Sequence, residues 1–513
     1  MESNITLHQL ETRIDDTSLD LEVAEMRRAG YQVVDWIVDR LQNLRASPLG
    51  CELAREQTEA LLREPLPEEG RSFADVFAEY REKVAPNAFS LDHPRFFAFI
   101  PSAPNFVSIL ADALVAGSNV FAGTWVESSG PSQVELVVID WFKGMLGLPD
   151  TAAGLLVSGG SVASLTALAV ARRAVLKDET RDARVYLSNQ THASIDRGLR
   201  LLGVSAAQIR RIPTDANFRM DTSKFEREIR RDIEAGLRPF AVVGNAGATN
   251  TGAVDPLASI AEIARAHSLW FHVDAAYGGF AALTERGRQS LSGIEQADSV
   301  ALDPHKWLYC PFEAGCVLVR NGGLMRETFR IMPEYMADVA RQEREVNFCD
   351  YGLQLTRSFR ALKVWMALKT YGARRFRQTI DRCLDLTEYA ARWFKRSPRI
   401  ELVTPPQLGI FTFRYLPERL PATDTLAYLN RLNEKLVAMI TASRKLMLSS
   451  TRLGPQTVLR LCVLNHRTRK EDIKEALNII EQLGREAEGG LASLSEKGLE
   501  DATLWQDGTS EDM

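Results

Sequence analysis

Between residues 185 and 320 short β-rich apolar runs alternate with helical patterns, and this alternation restricts the chain more than any other feature. The runs are Val185–Ser188, Phe240–Gly244, Trp270–Ala275, Ser299–Asp303 and Cys316–Arg320. Between them lie repeats at helical spacing such as Leu257, Ile260, Ile263, Ala264 and His267. Strands that are apolar on both faces, each separated by a helix, imply a mainly parallel sheet covered by helices on both sides. In such sheets ligands bind at the carboxyl ends of the strands. The predicted class is α/β.

The flanks are organised differently. From Leu19 to Leu44 apolar residues recur at helical spacing (Val23, Met26, Val34, Ile37, Leu41), predicting an amphipathic helix that needs a partner surface. Ser132 with Glu135 reads as a capping box opening a buried helix that Gly147 and Pro149 end. After about Tyr371 the pattern becomes a long helix, short strands (Gly409–Arg414, Val458–Val463) and a final helix. Thr468-x-x-Glu471 is expected to open that helix and Gly484 to close it. The expected partition is a helical segment 1–92, a large domain 93–370, a smaller α+β domain 371–484 and an acidic, disordered tail 485–513. No internal repeat is evident.

Composition excludes some partners. With 62 Lys+Arg against 67 Asp+Glu, well mixed, there is no basic stripe to follow a nucleic-acid backbone. No apolar stretch is long enough to span a membrane, and the first residues lack a signal-peptide pattern. The six cysteines are scattered, without zinc-like spacing, and read as reduced thiols of a cytoplasmic protein that holds no metal.

Several strand ends carry polar residues suited to chemistry. Asp274 ends the buried run WFHVDAAYGG, where an ionised carboxylate is costly without a cationic partner. It either caps the next helix or faces a cation such as a pyridinium nitrogen, which it would keep protonated as an electron sink. Lys306 follows the run SVALD, 306 − 274 = 32 residues later, a gap that fits one crossover to an adjacent strand. Set between His305 and Trp307, it suits an imine-forming lysine better than a solvated one. In LVSGGSVASL a glycine turn enters a helix; it is either a plain turn or an anion site built from the amides of Gly160 and Ser161. His192, after VYLSNQT, is either a packing residue or an imidazole that stacks on a planar ring and moves protons.

With Lys306 in DPHKW, Asp274 in HVDAAYGG, SGGS at 158–161 and QTHAS around His192, the chain resembles the group II pyridoxal-phosphate (PLP) dependent decarboxylases, the aromatic L-amino-acid decarboxylases above all. The resemblance runs from about Leu21 to Leu483 and includes HPRFFAFIPS and LTRSFRALKVWMALKTYG. It implies the type I PLP fold with a seven-stranded-type sheet, and a homodimer with shared active sites whose N-terminal helices embrace the partner. Lys306 is then the Schiff-base lysine, Asp274 the partner of the pyridine nitrogen and His192 the stacking ring. Gly160 and Ser161 hold the phosphate, Asp303 and His305 lie beside it, and Thr249 and Ala276 line the ring. Phe99, Ile100 and Pro101 form the substrate wall, Phe121 reaches the neighbouring subunit's pocket, and Thr356 sits at a substrate-selecting place. The resemblance also implies a tyrosine in a mobile loop, and an ungapped alignment puts Phe348 there, with Tyr335 or Tyr351 as substitutes if the loop is gapped. A phenylalanine at that place marks aldehyde synthases among plant relatives.

Three other readings share parts of this pattern. An aldehyde synthase would decarboxylate and then oxidatively deaminate. A transaminase of the same fold would use Arg460 to grip the substrate carboxylate. A binding protein of this fold would have lost its chemistry, against which the intact Lys306, Asp274 and His192 argue.

Overall fold

The computed structural model describes residues 19–503 apart from 102, 178 and 332–344. It divides into two compact units, with the boundary at Phe89/Ser90 against the expected 92/93. The first unit holds helices Val23–Asn43, Arg55–Leu62 and Phe73–Glu79. No residue of helix Val23–Asn43 is buried, and Val23, Met26, Tyr31 and Val34 stand exposed on it.

The second unit is built on two sheets. The larger has seven strands: β1 (Ala153–Val157), β2 (Ala183–Ser188), β3 (Ile209–Ile212), β4 (Arg238–Asn245), β5 (Trp270–Asp274), β6 (Ser299–Leu302) and β7 (Gly315–Val319). Their order is β1-β7-β6-β5-β4-β2-β3, and only β7 runs antiparallel to its neighbours. The strands are buried almost throughout because helices cover both faces, and this accounts for their continuous apolar character. The smaller sheet is antiparallel, in the order β10-β11-β9-β8, from β8 (Ile400–Leu402), β9 (Ile410–Tyr415), β10 (Ser449–Leu453) and β11 (Gln456–Cys462). Helix Ala361–Phe394 packs on helices Phe106–Ser118 and Trp125–Leu146 and reaches β8 and β9 of the smaller sheet; it is broken at Gly372, whose φ of 74° is left-handed.

Three local expectations are corrected. Ser132 and Glu135 do not open a helix: they lie inside helix Trp125–Leu146, which kinks at Ser128 and ends at Gly147. The helix already runs through Ser132, and the buried Glu135 carboxylate takes the Leu156 amide and the Arg357 guanidinium instead. The final helix begins at Lys470, and the Thr468 hydroxyl goes to the Pro94 carbonyl rather than to a cap. Gly484 does not close that helix, which continues to Thr503. A Cβ at Gly484 would fall 2.4 Å from the Tyr415 ring, so glycine here permits close packing. The start of the expected disordered tail is therefore helical, with Ala487 buried and Glu488 accepting from the Tyr415 hydroxyl at 2.5 Å. Residues 504–513 lie outside the described part.

Candidate active site

The parallel strands end side by side: Asn245 of β4 registers with Asp274 of β5, and Asp274 with Ala301 of β6. Each strand then hands over to a turn or helix start at this edge. β1 leads through Ser158 and Gly159 into helix Gly160–Ala171, β2 into His192 at the head of helix Ala193–Leu201, and β6 through Asp303 into the short helix Pro304–Trp307. The result is a cavity of about 300 Å³ lined by Gly160, Ser161, His192, Thr249, Asp274, Ala276, Asp303, His305 and Lys306. All nine residues expected to hold a cofactor thus meet in one place.

Each position has its own chemistry. Gly160 and Ser161 open a helix, where backbone N–H groups lack intrahelical acceptors and the helix dipole favours an anion. A Cβ at Gly160 would sit 2.7 Å from that of Ala276 and 3.1 Å from Asp303 Oδ2, so a larger residue would fill this cradle. Burial pushes the Asp274 carboxyl up, against the opposing pull of Lys306, the Ala276 N–H at 3.2 Å and His192. A cation brought next to Asp274 would be held strongly. His192 Nδ1 accepts from the Ser194 amide at 3.2 Å and lies 2.8 Å from the Ser194 hydroxyl, which fixes the ring plane.

Asp303 Oδ2 stands 2.9 Å from Lys306 Nζ and 3.6 Å from His305 Nε2, while its Oδ1 is buried with no hydrogen-bond partner. Burial pushes the His305 pKa down, and its Nδ1 accepts from the Ala314 amide at 3.3 Å with the Phe312 ring 4.9 Å away. A carboxylate for a ring nitrogen, an amine for an aldehyde, amides for a phosphate and an orphaned acceptor for a further proton match the groups of PLP.

The structure adds residues that sequence reasoning missed. Asn245 lines the cavity and donates to Ser188 Oγ at 3.0 Å and to Asp255 Oδ2 at 2.8 Å. Burial pushes the Asp255 carboxyl up to about 6 although three N–H groups point at it. The signal for Asn245 was present as a polar residue ending an apolar strand. Tyr277 and Glu313 also line the cavity, Glu313 paired with Arg360 at 2.9 Å, and no local pattern marked them.

The expected substrate residues are not gathered there. Phe99, Ile100, Pro101, Phe121, Phe348 and Thr356 are all absent from the cavity wall. Phe99 is exposed, with a left-handed φ of 51°, and Thr356 is exposed before the buried Arg357. The Phe121 ring lies against Gly123. Phe348, which the ungapped alignment puts at the loop tyrosine's place, is a core residue here, 1% exposed, with the Arg357 guanidinium 5.0 Å from its ring centre. Tyr335 lies outside the described residues. Arg460 binds the main-chain carbonyls of Thr249, Asn250 (3.0 Å) and Phe99 (3.4 Å) and the Ser449 hydroxyl (2.9 Å). It holds two segments together, and its donors are committed to them rather than to a substrate carboxylate. Among the described residues no cluster could hold a metal ion.

Comparison with known proteins gives a consistent pattern. Residues 56–416 match the pyridoxal-dependent decarboxylase conserved domain. The chain is 44% identical over 470 residues to an aromatic-L-amino-acid decarboxylase of Bacillus atrophaeus, covering 91% of this chain and 97% of that one. It is 30% identical to a phenylacetaldehyde synthase of Arabidopsis thaliana, over 90% of this chain and 96% of the relative. Among solved structures, the Oryza sativa TDC with PLP and tryptamine superimposes with a TM-score of 0.86 at 27% identity, over 92% of this chain and 99% of that one.

Proposed function

The chain belongs to the pyridoxal-dependent decarboxylase family, and from that premise we propose that it converts an aromatic L-amino acid to the amine and CO2. It is a PLP-dependent decarboxylase of the type I fold. The observation that carries the substrate reading is the 44% identity, over nearly the whole of both chains, to an aromatic-L-amino-acid decarboxylase. When bound, PLP supplies an electron sink for the pair left behind as CO2 departs.

The chain's own residues do the rest. Lys306 would hold the cofactor through its amine, and Asp303 at 2.9 Å would steady the charge on that nitrogen. Asp274 keeps a proton on the ring nitrogen from a site where burial makes a lone carboxylate costly. Gly160 and Ser161 would anchor the phosphate through the amides of the helix start. His192, held by Ser194, would lie beside the cofactor and could move a proton at its Nε2. Phe99, Ile100 and Pro101, tied to the Thr249 turn through Arg460, and Phe121 with Thr356, contribute to the substrate end when a second copy of the chain completes it.

A homodimer is supported by the unburied apolar face of helix Val23–Asn43, which a second copy would cover. A cytoplasmic location is supported by six cysteines without a disulfide, and no described helix is long and apolar enough to cross a membrane. Incubating the purified protein and PLP with the standard amino acids plus L-dopa, and measuring CO2, amine, aldehyde and hydrogen peroxide, tests the reading. Amine and CO2 in equal amounts from an aromatic substrate are expected. Aldehyde with peroxide would replace this reading by the aldehyde synthase one, and loss of the amino group without CO2 by the transaminase one.

A further inference from the structure

Beneath the cavity lies a buried polar chain that the chemistry above does not use. His272 is wholly buried on β5, two residues before Asp274 and so on the same face of the strand. Its Nδ1 lies 2.9 Å from Ser299 Oγ on β6, and its Nε2 lies 3.3 Å from Ser164 Oγ in helix Gly160–Ala171. Ser299 Oγ also accepts from the Trp270 indole N–H at 2.8 Å.

An indole nitrogen only donates, so the Ser299 hydroxyl oxygen is an acceptor for Trp270 and faces His272 Nδ1 as well. Burial pushes the His272 pKa down to about 4, which keeps the imidazole neutral. The contacts link Trp270, Ser299, His272 and Ser164, and they cross three elements. β6 leads directly into Asp303 and Lys306, β5 ends at Asp274, and the helix begins with Gly160 and Ser161.

These polar groups stand where apolar side chains would otherwise pack. Ser164 and Ser299 are each about 1% exposed, and their chain neighbours Ala163 and Val300 belong to the apolar core. Apolar contacts between a helix and a sheet tolerate small slides, whereas a hydrogen bond at about 3 Å fixes distance and direction. A slide of the helix would carry the phosphate amides away from the carboxylate that faces the ring nitrogen, since one rigid cofactor must satisfy both.

We propose that His272 is a positioning residue that sets the phosphate-binding start of helix Gly160–Ala171 in register with Asp274 and Lys306, acting through Ser164 and Ser299. This rests on the assignment of the cavity to PLP. The mildest cut is Ser164→Ala, which removes one hydroxyl. His272→Asn shortens the side chain so that it reaches Ser299 and no longer Ser164. Both variants are compared with the wild-type protein for the dissociation constants of PLP and of pyridoxal, which lacks the phosphate, and for thermal unfolding.

Both variants are expected to bind PLP about tenfold more weakly, the 1.4 kcal/mol equivalent of one hydrogen bond, with pyridoxal affinity changed less than about twofold. Ser299→Ala, which cuts the link to the lysine strand, is expected to weaken both ligands. Equal losses for the two ligands in Ser164→Ala, or a lowered unfolding temperature with unchanged PLP binding, would overturn the proposal by leaving His272 a packing residue. Wild-type protein that captures neither ligand would overturn the cofactor assignment instead, and the two failures are therefore distinguishable.

Discussion

The Glu135 carboxylate meets the Arg357 guanidinium at 2.5 Å in the interior, with neither side chain more than 1% exposed. Arg357 also donates to the carbonyls of Ala122 and Leu156, and Glu135 accepts from the Leu156 amide. The pair thereby ties together helix Trp125–Leu146, β1 and the segment that follows Phe348. Removing one partner leaves an uncompensated buried charge. Arg357→Met alone is expected to cost about 3–5 kcal/mol in urea unfolding, and Glu135→Leu with Arg357→Met less than the sum of the two single changes. Additive losses would show that the pair does not act as a unit.

Asp274→Asn separates the two readings of that residue. If it serves the ring nitrogen, the variant still captures PLP on Lys306, retains its visible absorbance, and turns over on the order of 100-fold or more slowly, because a neutral amide cannot balance a ring cation. If it only caps the turn at Ala276, the variant loses stability and keeps its turnover. Lys306→Ala is the reference variant, expected to lose both the bound absorbance and the turnover.

Phe348→Tyr tests whether that ring serves the core or the substrate end. In its packed site beneath Arg357 a new hydroxyl lacks a designed partner, so a stability loss of about 1–3 kcal/mol is expected in denaturant unfolding. The ratio of amine to aldehyde is expected to stay unchanged. A changed ratio without a stability loss would return Phe348 to the substrate side.

Two buried groups give the stability a pH dependence of opposite sign. His272, pushed down to about 4, takes up a proton on unfolding between that pH and its ordinary pKa of about 6.5. Its contribution is complete above that value and is lost as pH falls toward 4, with an upper bound of about 3 kcal/mol. Asp255, pushed up to about 6, binds a proton in the folded state first, so its contribution declines as pH rises from about 4 to 6. Unfolding free energies of His272→Gln and Asp255→Asn, each subtracted from wild type between pH 4 and 7, are expected to slope in opposite directions. Parallel slopes would contradict both assignments.

The lining of the cavity was legible because its parts are local. Asp274, Lys306 and His192 each stand at the end of a strand whose apolar run is visible in the chain, and parallel strands bring such ends together whatever their order. The reversed direction of β7 left no mark, since a strand buried on both faces reads the same either way. The capping patterns at Ser132 and Thr468 misled for a related reason, because local pairs compete with partners that the local sequence does not contain.

The amino-acid sequence by itself thus determined the α/β alternation and the residues that line the cavity at its edge. Tertiary structure alone decided what the alternation leaves open. Glu135 and Arg357 are 222 positions apart, and Arg460 and Phe99 361 apart. Pairings at such distances depend on how whole layers pack, and periodicity at two or 3.6 residues carries no information about them.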